Sequence, residues 1–280
     1  FETPLNNISQ WMITGPTMEP AFLYLMKPLT FIFSSHFILT WLFIMFNIAL
    51  GISIYVFTKE YFGKRSGLIA LMIFSISTVQ FITFTFMYYR NIIGLTLMLF
   101  ALTFLKKSEK VKYRFLFIIF GGLLGAIHRP TFFIFGLSYL AYSLFHIKKL
   151  KHNIINGISI LGIFLLFYIG KFWPAITTII SPVAESFVNP GESPGTFISF
   201  FQYQFLTLTY LAFAIIGFIY LVKTKKLNML FFWALVNGII VYFQFFFFNR
   251  FIIHLDIALI ILSGLGFSLL IEQKKKLGLL

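Results

Sequence analysis

Three arginines, Arg90, Arg129 and Arg250, stand at the ends of long apolar runs in the sequence. An ionisable group in or beside a bilayer is costly, so it usually faces a cavity or a partner. The planar guanidinium donates two parallel hydrogen bonds and matches a phosphate group. The three side chains could therefore converge on one anion. The alternative is that each arginine reaches lipid headgroups from its own helix end.

Further ionisable residues follow these arginines. His128 precedes Arg129 directly, and His254 and Asp256 come one to two helical turns after Arg250. His128 could bind a ligand, or it could be a histidine whose hydrogen bonds are satisfied at the membrane interface. Asp256 has no basic residue three or four positions away. Arg250 or a lysine on the outer side could still reach it, and we interpret Asp256 as half of a structural ion pair with such a residue.

Two carboxylates near the start of the chain, Glu2 and Glu19, flank a turn at Gly15 and Pro16. Such a pair could hold a metal or act as a general base and its orienting partner. The alternative is that both are solvated surface residues. The sequence contains neither an H-E-x-x-H pattern nor cysteine, so we assign no metal site and exclude disulfides.

The elements that must position these residues are transmembrane helices. Of the 280 residues, 59% are hydrophobic and 11% are charged, whereas a soluble domain carries about 25% charged residues. A span needs about 20 apolar residues, and the apolar runs predict about nine spans. The sequence thus predicts an all-α, polytopic transmembrane bundle, with spans at 36–58, 66–87, 91–105, 115–127, 131–147, 153–171, 197–222, 228–247 and 251–272.

The loops between these spans differ in charge. One set (59–65, 106–114, 148–152, 223–227 and 273–276) contains 17 of the 22 basic residues and two acidic residues, and Glu272 lies at the adjoining end of the last predicted span, while the other side is electrically neutral. Short basic loops face the cytoplasm. We therefore expect the residue 1 end and the 172–196 loop outside and the C-terminus inside. Because topology accounts for the net charge of +14, we predict no nucleic-acid partner.

We interpret the chain as one domain over 1–280, with an external segment at 1–35, a helical bundle at 36–272 and an external loop at 172–196. Residues 20–34 are apolar but interrupted by Pro20, Lys27 and Pro28, which favours a helix lying in the outer interface. Four prolines and two glycines within 172–196 predict an irregular loop. We also expect a first helix upstream of Glu2.

Five segments together resemble the GT-C superfamily of membrane glycosyltransferases, which includes protein mannosyltransferases and aminoarabinose transferases that use lipid-phosphate sugars. They are similar, in order, to an acidic-then-proline start of an interfacial helix, a G-x-x-x-G-L-x-A helix, an R-N-x-x-G-L helix, an H-R-x-T helix start and an R-F-x-x-x-L-D-x-x-L last helix. The segments are MEPAFLYLMKPL, FGKRSGLIALMIFSIS, YYRNIIGLTLMLFALTFLKK, GAIHRPTFFIF and NRFIIHLDIALIILSGLGF. Glu2 sits where the family's first external loop has its acid.

A second resemblance is to exopolysaccharide polymerases of the EpsG/Wzy type. They share a Glu-Pro-x-Phe stretch, a mid-chain arginine and a later histidine at a helix start. Glu19-Pro20-Ala21-Phe22, Arg90 and His128 follow that order. The glycine-rich helix and the Leu-Asp last helix fit the GT-C superfamily better.

The GT-C resemblance implies transfer of a sugar from a polyprenyl-phosphate or polyprenyl-diphosphate carrier to a glycan, lipid or protein acceptor on the outer face. Arg90, Arg129 and Arg250, with His128, would bind the donor phosphate, supported by His254 and Asp256. Glu2 or Glu19 would deprotonate or orient the acceptor hydroxyl. The resemblance is compatible with a divalent cation as cofactor, and no sequence pattern in the chain requires one.

A different class of function is also compatible with this sequence: a transporter or flippase, or a non-catalytic membrane subunit. Transporters place ionisable residues at mid-bilayer on broken helices. Here the charges lie at the outer ends of spans, which favours the glycosyltransferase. We expect an integral protein of a prokaryotic plasma membrane.

Overall fold

The computed structural model describes residues 20–169, 198–245 and 248–276 of the chain, and these are almost entirely helical. Glu2 and Glu19, and the predicted loop at 172–196, lie outside the described residues. The helices are α1 (Pro20–Ile32), α2 (Ser35–Phe37), α3 (Phe43–Phe62), α4 (Lys64–Ile76), α5 (Thr78–Thr85), α6 (Tyr89–Lys106), α7 (Val111–Ile127), α8 (Arg129–Phe145), α9 (Leu150–Leu166), α10 (Phe200–Lys223), α11 (Met229–Tyr242) and α12 (Ile252–Lys276).

Short irregular helical pieces connect some of these elements. A π-helical turn, Ile38–Leu42, joins α2 to α3, and 3₁₀ turns at Ile147–Lys149 and Phe248–Phe251 precede α9 and α12. Helices are the expected solution in lipid, because each backbone N–H and C=O must be satisfied within its own segment.

Four helical stretches in the described part of the chain are long and apolar enough to cross a membrane. The number rises to six if each of two bent helix pairs counts as one span. The chain is therefore a multi-pass membrane protein, but the predicted count of nine spans is not confirmed. The four stretches are Thr40–Phe62, Tyr89–Lys106, Phe200–Lys223 and Phe248–Gln273.

The difference in span count has a physical reason. The predicted span 66–87 is broken at Ser77, where α4 and α5 bend by 56°. The predicted spans 131–147 and 153–171 correspond to α8 and α9, which meet at 105°. At about 1.5 Å per residue, the 17 residues of α7 and the 14 of α11 fall short of a hydrocarbon core of about 30 Å.

α1 occupies the segment predicted to lie in the outer interface. It has 13 residues with Pro28 inside it, so it is too short to cross a bilayer. Its buried residues include Ala21, which packs against Ile127 at the end of α7.

α12 is the central helix, buried along most of its length, and it packs against α4, α5, α10 and α11. Close approach to α10 depends on Gly217 and Gly266, where a Cβ would overlap the backbone carbonyls of Leu262 and Phe213 respectively. On the α4 side a Cβ at Gly264 would lie 2.6 Å from the carbonyl oxygen of Ser66. Small residues at such contacts let helix backbones approach closely.

The glycine contacts give a stability prediction. Replacing Gly266 with alanine should lower the unfolding free energy by about 1–3 kcal/mol, because the new methyl group would push α12 away from α10. Gly238→Ala is the matched control, since open space surrounds the Cβ position at Gly238. Unfolding in detergent would measure both; equal stability of the two variants would contradict the packing argument.

Candidate functional site

A cavity of about 390 Å³ lies where α1, the turn before α6, the α7–α8 turn and the start of α12 meet. Two of the three arginines singled out in the sequence, Arg90 and Arg250, line it together with His128. Arg129 is not a lining residue, but it follows His128 directly and is half-buried. The remaining walls are Phe22, Met87, Tyr88, Tyr89 and Asn91.

The wall around Arg90 is set by an unusual turn. Met87 has a φ of 55°, a left-handed conformation that is uncommon and costly for a residue other than glycine. This turn ends α5 and starts α6 at Tyr89, whose hydroxyl donates to the carbonyl oxygen of Ile38 at 2.8 Å. The tyrosine thereby ties the start of α6, next to Arg90, to the π-helical turn before α3.

A glycine brings the histidine side of the cavity against α6. Gly94 lies one turn after Arg90, and a Cβ there would be 2.9 Å from the Cβ of His128 and 3.2 Å from Oγ1 of Thr131. The absence of a side chain at position 94 thus lets the α7–α8 turn approach α6 one turn after Arg90. A larger residue at position 94 would move the α7–α8 turn away from Arg90.

A buried hydrogen-bonded chain links α8 to α12 behind the cavity. Oγ1 of Thr131 lies 2.6 Å from Nδ1 of His128 and 2.7 Å from Nε2 of His254. Nδ1 of His254 lies 3.2 Å from the carbonyl oxygen of Arg250. Thr131 and His254 are completely buried, and His128 is 7% exposed.

We assign the protons on the ring nitrogens from the side-chain contacts of this chain. A carbonyl only accepts, so His254 must donate from Nδ1, which leaves Nε2 of a neutral ring as an acceptor. The Thr131 hydroxyl then donates to His254, and its oxygen accepts from Nδ1 of His128. The backbone N–H of Thr131 also points at Nδ1 of His128, at 3.4 Å. This contact is the longest of the set, and in this assignment it is not a hydrogen bond. A neutral His128 therefore has an unprotonated Nε2.

The charge state of His128 follows from its surroundings. Burial lowers its pKa well below the ordinary value, and the nearby His254, Arg90, Arg250 and Arg129 lower the pKa further. The imidazole is therefore neutral at physiological pH, and the cavity carries its positive charge on the arginines.

Asp256 is held differently from the ion pair expected from the sequence. Gln80 Nε2 and Ser77 Oγ donate to Oδ2 at 2.6 and 3.2 Å, and the Tyr210 hydroxyl donates to Oδ1. Among the described residues, the partners of Asp256 are therefore neutral donors from the α4–α5 break and from α10, and the expected basic partner is not among them. Asp256 is fully buried and does not line the cavity, so its observed role is to fasten α12 to its neighbours.

Sequence reasoning missed Thr131, which joins the two histidines. A signal was present, because Thr131 is the last residue of the H-R-x-T stretch and lies one turn after His128. Within 20–169, 198–245 and 248–276, no three His, Cys, Asp or Glu residues lie close enough together to hold a metal ion.

Comparisons with known proteins agree with this architecture. Residues 15–173 match the family model of dolichyl-phosphate-mannose-protein mannosyltransferases. The structure is similar to that of the Archaeoglobus fulgidus oligosaccharyltransferase in the apo form, with a TM-score of 0.62 at 13% identity over 91% of this chain. A second structure of that enzyme, tethered by a disulfide bond to an acceptor peptide containing the NVT sequon, gives a TM-score of 0.60 at 17% identity over 91% of this chain.

The chain spans 43% and 42% of the length of these two structures. The comparison with curated proteins gave no match.

The fold and the matched segment define the class as a GT-C superfamily membrane glycosyltransferase. Because the family model covers more than half of the sequence, the chain belongs to the dolichyl-phosphate-mannose-protein mannosyltransferase family.

The buried Thr131 link gives a second prediction. Thr131→Val keeps the side-chain shape but removes the hydroxyl, so it should leave both histidines short of a partner and lower the unfolding free energy by about 1–3 kcal/mol. Thr131→Ser retains the hydroxyl and should remain close to wild type. Thermal unfolding in detergent measures both variants, and a valine variant as stable as the serine variant would rule out the link.

Proposed function

We propose that the protein transfers a sugar from a polyprenyl-phosphate-linked donor to an acceptor hydroxyl on the outer face of a prokaryotic plasma membrane. The observation that carries the proposal is the cavity in which Arg90, Arg250 and His128 meet. Membership of the mannosyltransferase family supports the reaction type, and a hexose is the sugar class we propose.

Arg90 and Arg250 would bind the donor phosphate. Both guanidinium groups belong to the wall of one cavity, and their charge suits an oxygen that becomes more negative as the sugar departs. Arg129 would add positive potential without lining the cavity, since it follows His128 directly. The prenyl tail would lie among the apolar helix surfaces that face lipid.

The neutral His128 suggests a role other than the phosphate contact expected from the sequence. Its Nε2 is an acceptor, and an acceptor repels phosphate oxygens but binds a hydroxyl group. We therefore assign His128 to a hydroxyl of the donor sugar or of the acceptor. The chain through Thr131 to His254 would hold the imidazole in the required tautomer.

The reaction itself would be a displacement at the anomeric carbon. The acceptor oxygen forms a bond to that carbon, the bond from carbon to phosphate oxygen breaks, and the lipid phosphate leaves with the electron pair. A carboxylate would take the acceptor proton, and Glu19 or Glu2 fills this role in the proposal. In the sequence, Glu19 directly precedes Pro20, where α1 begins, and α1 contributes Phe22 to the cavity wall.

Two arginine variants test the phosphate site. Arg90→Ala or Arg250→Ala should lower transfer from a polyprenyl-phosphate sugar by about 10²–10³-fold, because a preorganised donor to the developing charge is lost. Arg65→Ala, in the first turn of α4, is the control and should transfer at the wild-type rate. The assay is transfer of radiolabelled sugar by the reconstituted full chain, and unchanged rates in both cavity variants would disprove the phosphate site.

The orientation can be tested independently of activity. The chain has no cysteine, so a single introduced cysteine reports its own location. Ser34→Cys, next to α1, should react with an impermeant maleimide on intact cells. Lys112→Cys, in the exposed first turn of α7 beside the basic loop, should react only after permeabilisation, because basic loops remain in the cytoplasm. The reverse labelling pattern would overturn the proposed topology.

A further inference from the structure

A second concave site runs along α8 from Phe132 to Leu144, between α8 and α9, and it reaches the α8–α9 junction at the end of α8 opposite to the outer cavity. The two helices diverge from the short connection at Ile147–Lys149 at an angle of 105°, and α9 packs chiefly on α7 rather than on α8. The divergence leaves a groove of about 410 Å³. Its wall is almost wholly apolar, with Leu140, Leu144, Ile154 and Leu161 facing it. In a bilayer such a groove is filled by hydrocarbon.

The narrow end of this groove is polar and its donors lack partners. Ser143 and Asn153 belong to the wall, are 5% and 3% exposed, and have no hydrogen-bond partner for Oγ and Nδ2 within the described segments. Behind them Nδ2 of Asn156 is likewise unpaired, although its Oδ1 accepts from Nε of Arg114 at 2.7 Å. An unpaired buried polar group costs about 1–3 kcal/mol, so these donors call for a ligand with acceptor oxygens.

The rim at this end is cationic. Lys148, Lys149 and Lys151 are exposed beside the helix junction, and Arg114 reaches the same polar cluster from α7. Lys149 is already bound to Glu109 at 2.9 Å. Lys148 and Lys151 form no ion pair in the part of the chain that the structure describes, and their charge is available to an anion. Basic pockets between helices on the cytoplasmic side are typical binding sites for anionic lipid headgroups.

We propose that the α8–α9 groove binds one anionic phospholipid of the surrounding leaflet. Lys148 and Lys151 contact the phosphate, the Asn153 amide and Ser143 hydroxyl donate to its ester oxygens, and an acyl chain follows the apolar wall past Leu140. A second copy of the chain is a poorer occupant, because it would bring its own lysines to the same rim. The site is separate from the outer cavity and does not rest on the proposed reaction.

Two glycines provide a matched pair of variants. Gly136 lies in the groove wall on α8, and open space surrounds the position of its missing Cβ. Gly162 on α9 has the same open surroundings but is not part of the wall. Gly136→Leu should therefore fill the groove without disturbing the backbone, whereas Gly162→Leu should add the same side chain elsewhere.

The experiment is native mass spectrometry of the purified full chain titrated with phosphatidylglycerol, with phosphatidylcholine and with inorganic phosphate. We expect one phosphatidylglycerol bound in preference to phosphatidylcholine, with no retention of free phosphate. Gly136→Leu should abolish the preference, and Gly162→Leu should keep it. Replacing Lys148 or Lys151 with glutamine should weaken binding by about fivefold for each lysine.

Several results would overturn the site. They are equal retention of phosphatidylglycerol and phosphatidylcholine by the wild-type chain, unaltered lipid binding by Gly136→Leu, and a dimer that forms in place of lipid uptake. Because the readout is bound lipid mass, a failure here leaves the sugar-transfer assay unaffected. A failure of that assay likewise leaves the lipid titration interpretable.

Discussion

Close backbone contact around α12 is the constraint on which the rest of the structure depends. Gly266 and Gly217 bring α12 against α10, and Gly264 brings it against α4 at Ser66. In lipid the hydrophobic effect does not drive helices together, so dispersion contacts and interhelical hydrogen bonds must do so. The three neutral donors on Asp256 add the hydrogen-bonded part. Together the glycine contacts and the Asp256 hydrogen bonds fix the axial position and the rotation of α12 within the bundle.

That fixed helix determines the chemistry of the outer cavity. The carbonyl of Arg250 sets the tautomer of His254, and Thr131 passes this choice to His128 across two helices. The 3₁₀ turn that leads into α12 contains Arg250, which belongs to the cavity wall. Cationic side chains and a neutral acceptor therefore occur together, an arrangement suited to a phosphate beside a hydroxyl group. A small rotation of α12 would separate them.

The helical, multi-pass character of the chain could be predicted from the sequence because it depends on local properties. Apolar runs long enough for lipid must form helices, whatever they later contact. The number of spans could not be predicted in this way. The break at Ser77 and the divergence of α8 and α9 depend on how neighbours pack. α11 begins directly after its capping residue Asn228, at the predicted start, but it ends at Tyr242, before the end of the predicted span 228–247.

The sequence by itself determined the class of protein, the basic face of the bundle and the residues worth considering at the outer end. Arg90, His128 and Arg250 carry their chemistry in their residue types and in their positions at the ends of apolar runs. Only the tertiary structure decided which of them share a cavity and that Asp256 is bound by neutral donors rather than by a charge. These outcomes depend on contacts between helices far apart along the chain, and spacing within one helix contains no information about its partners.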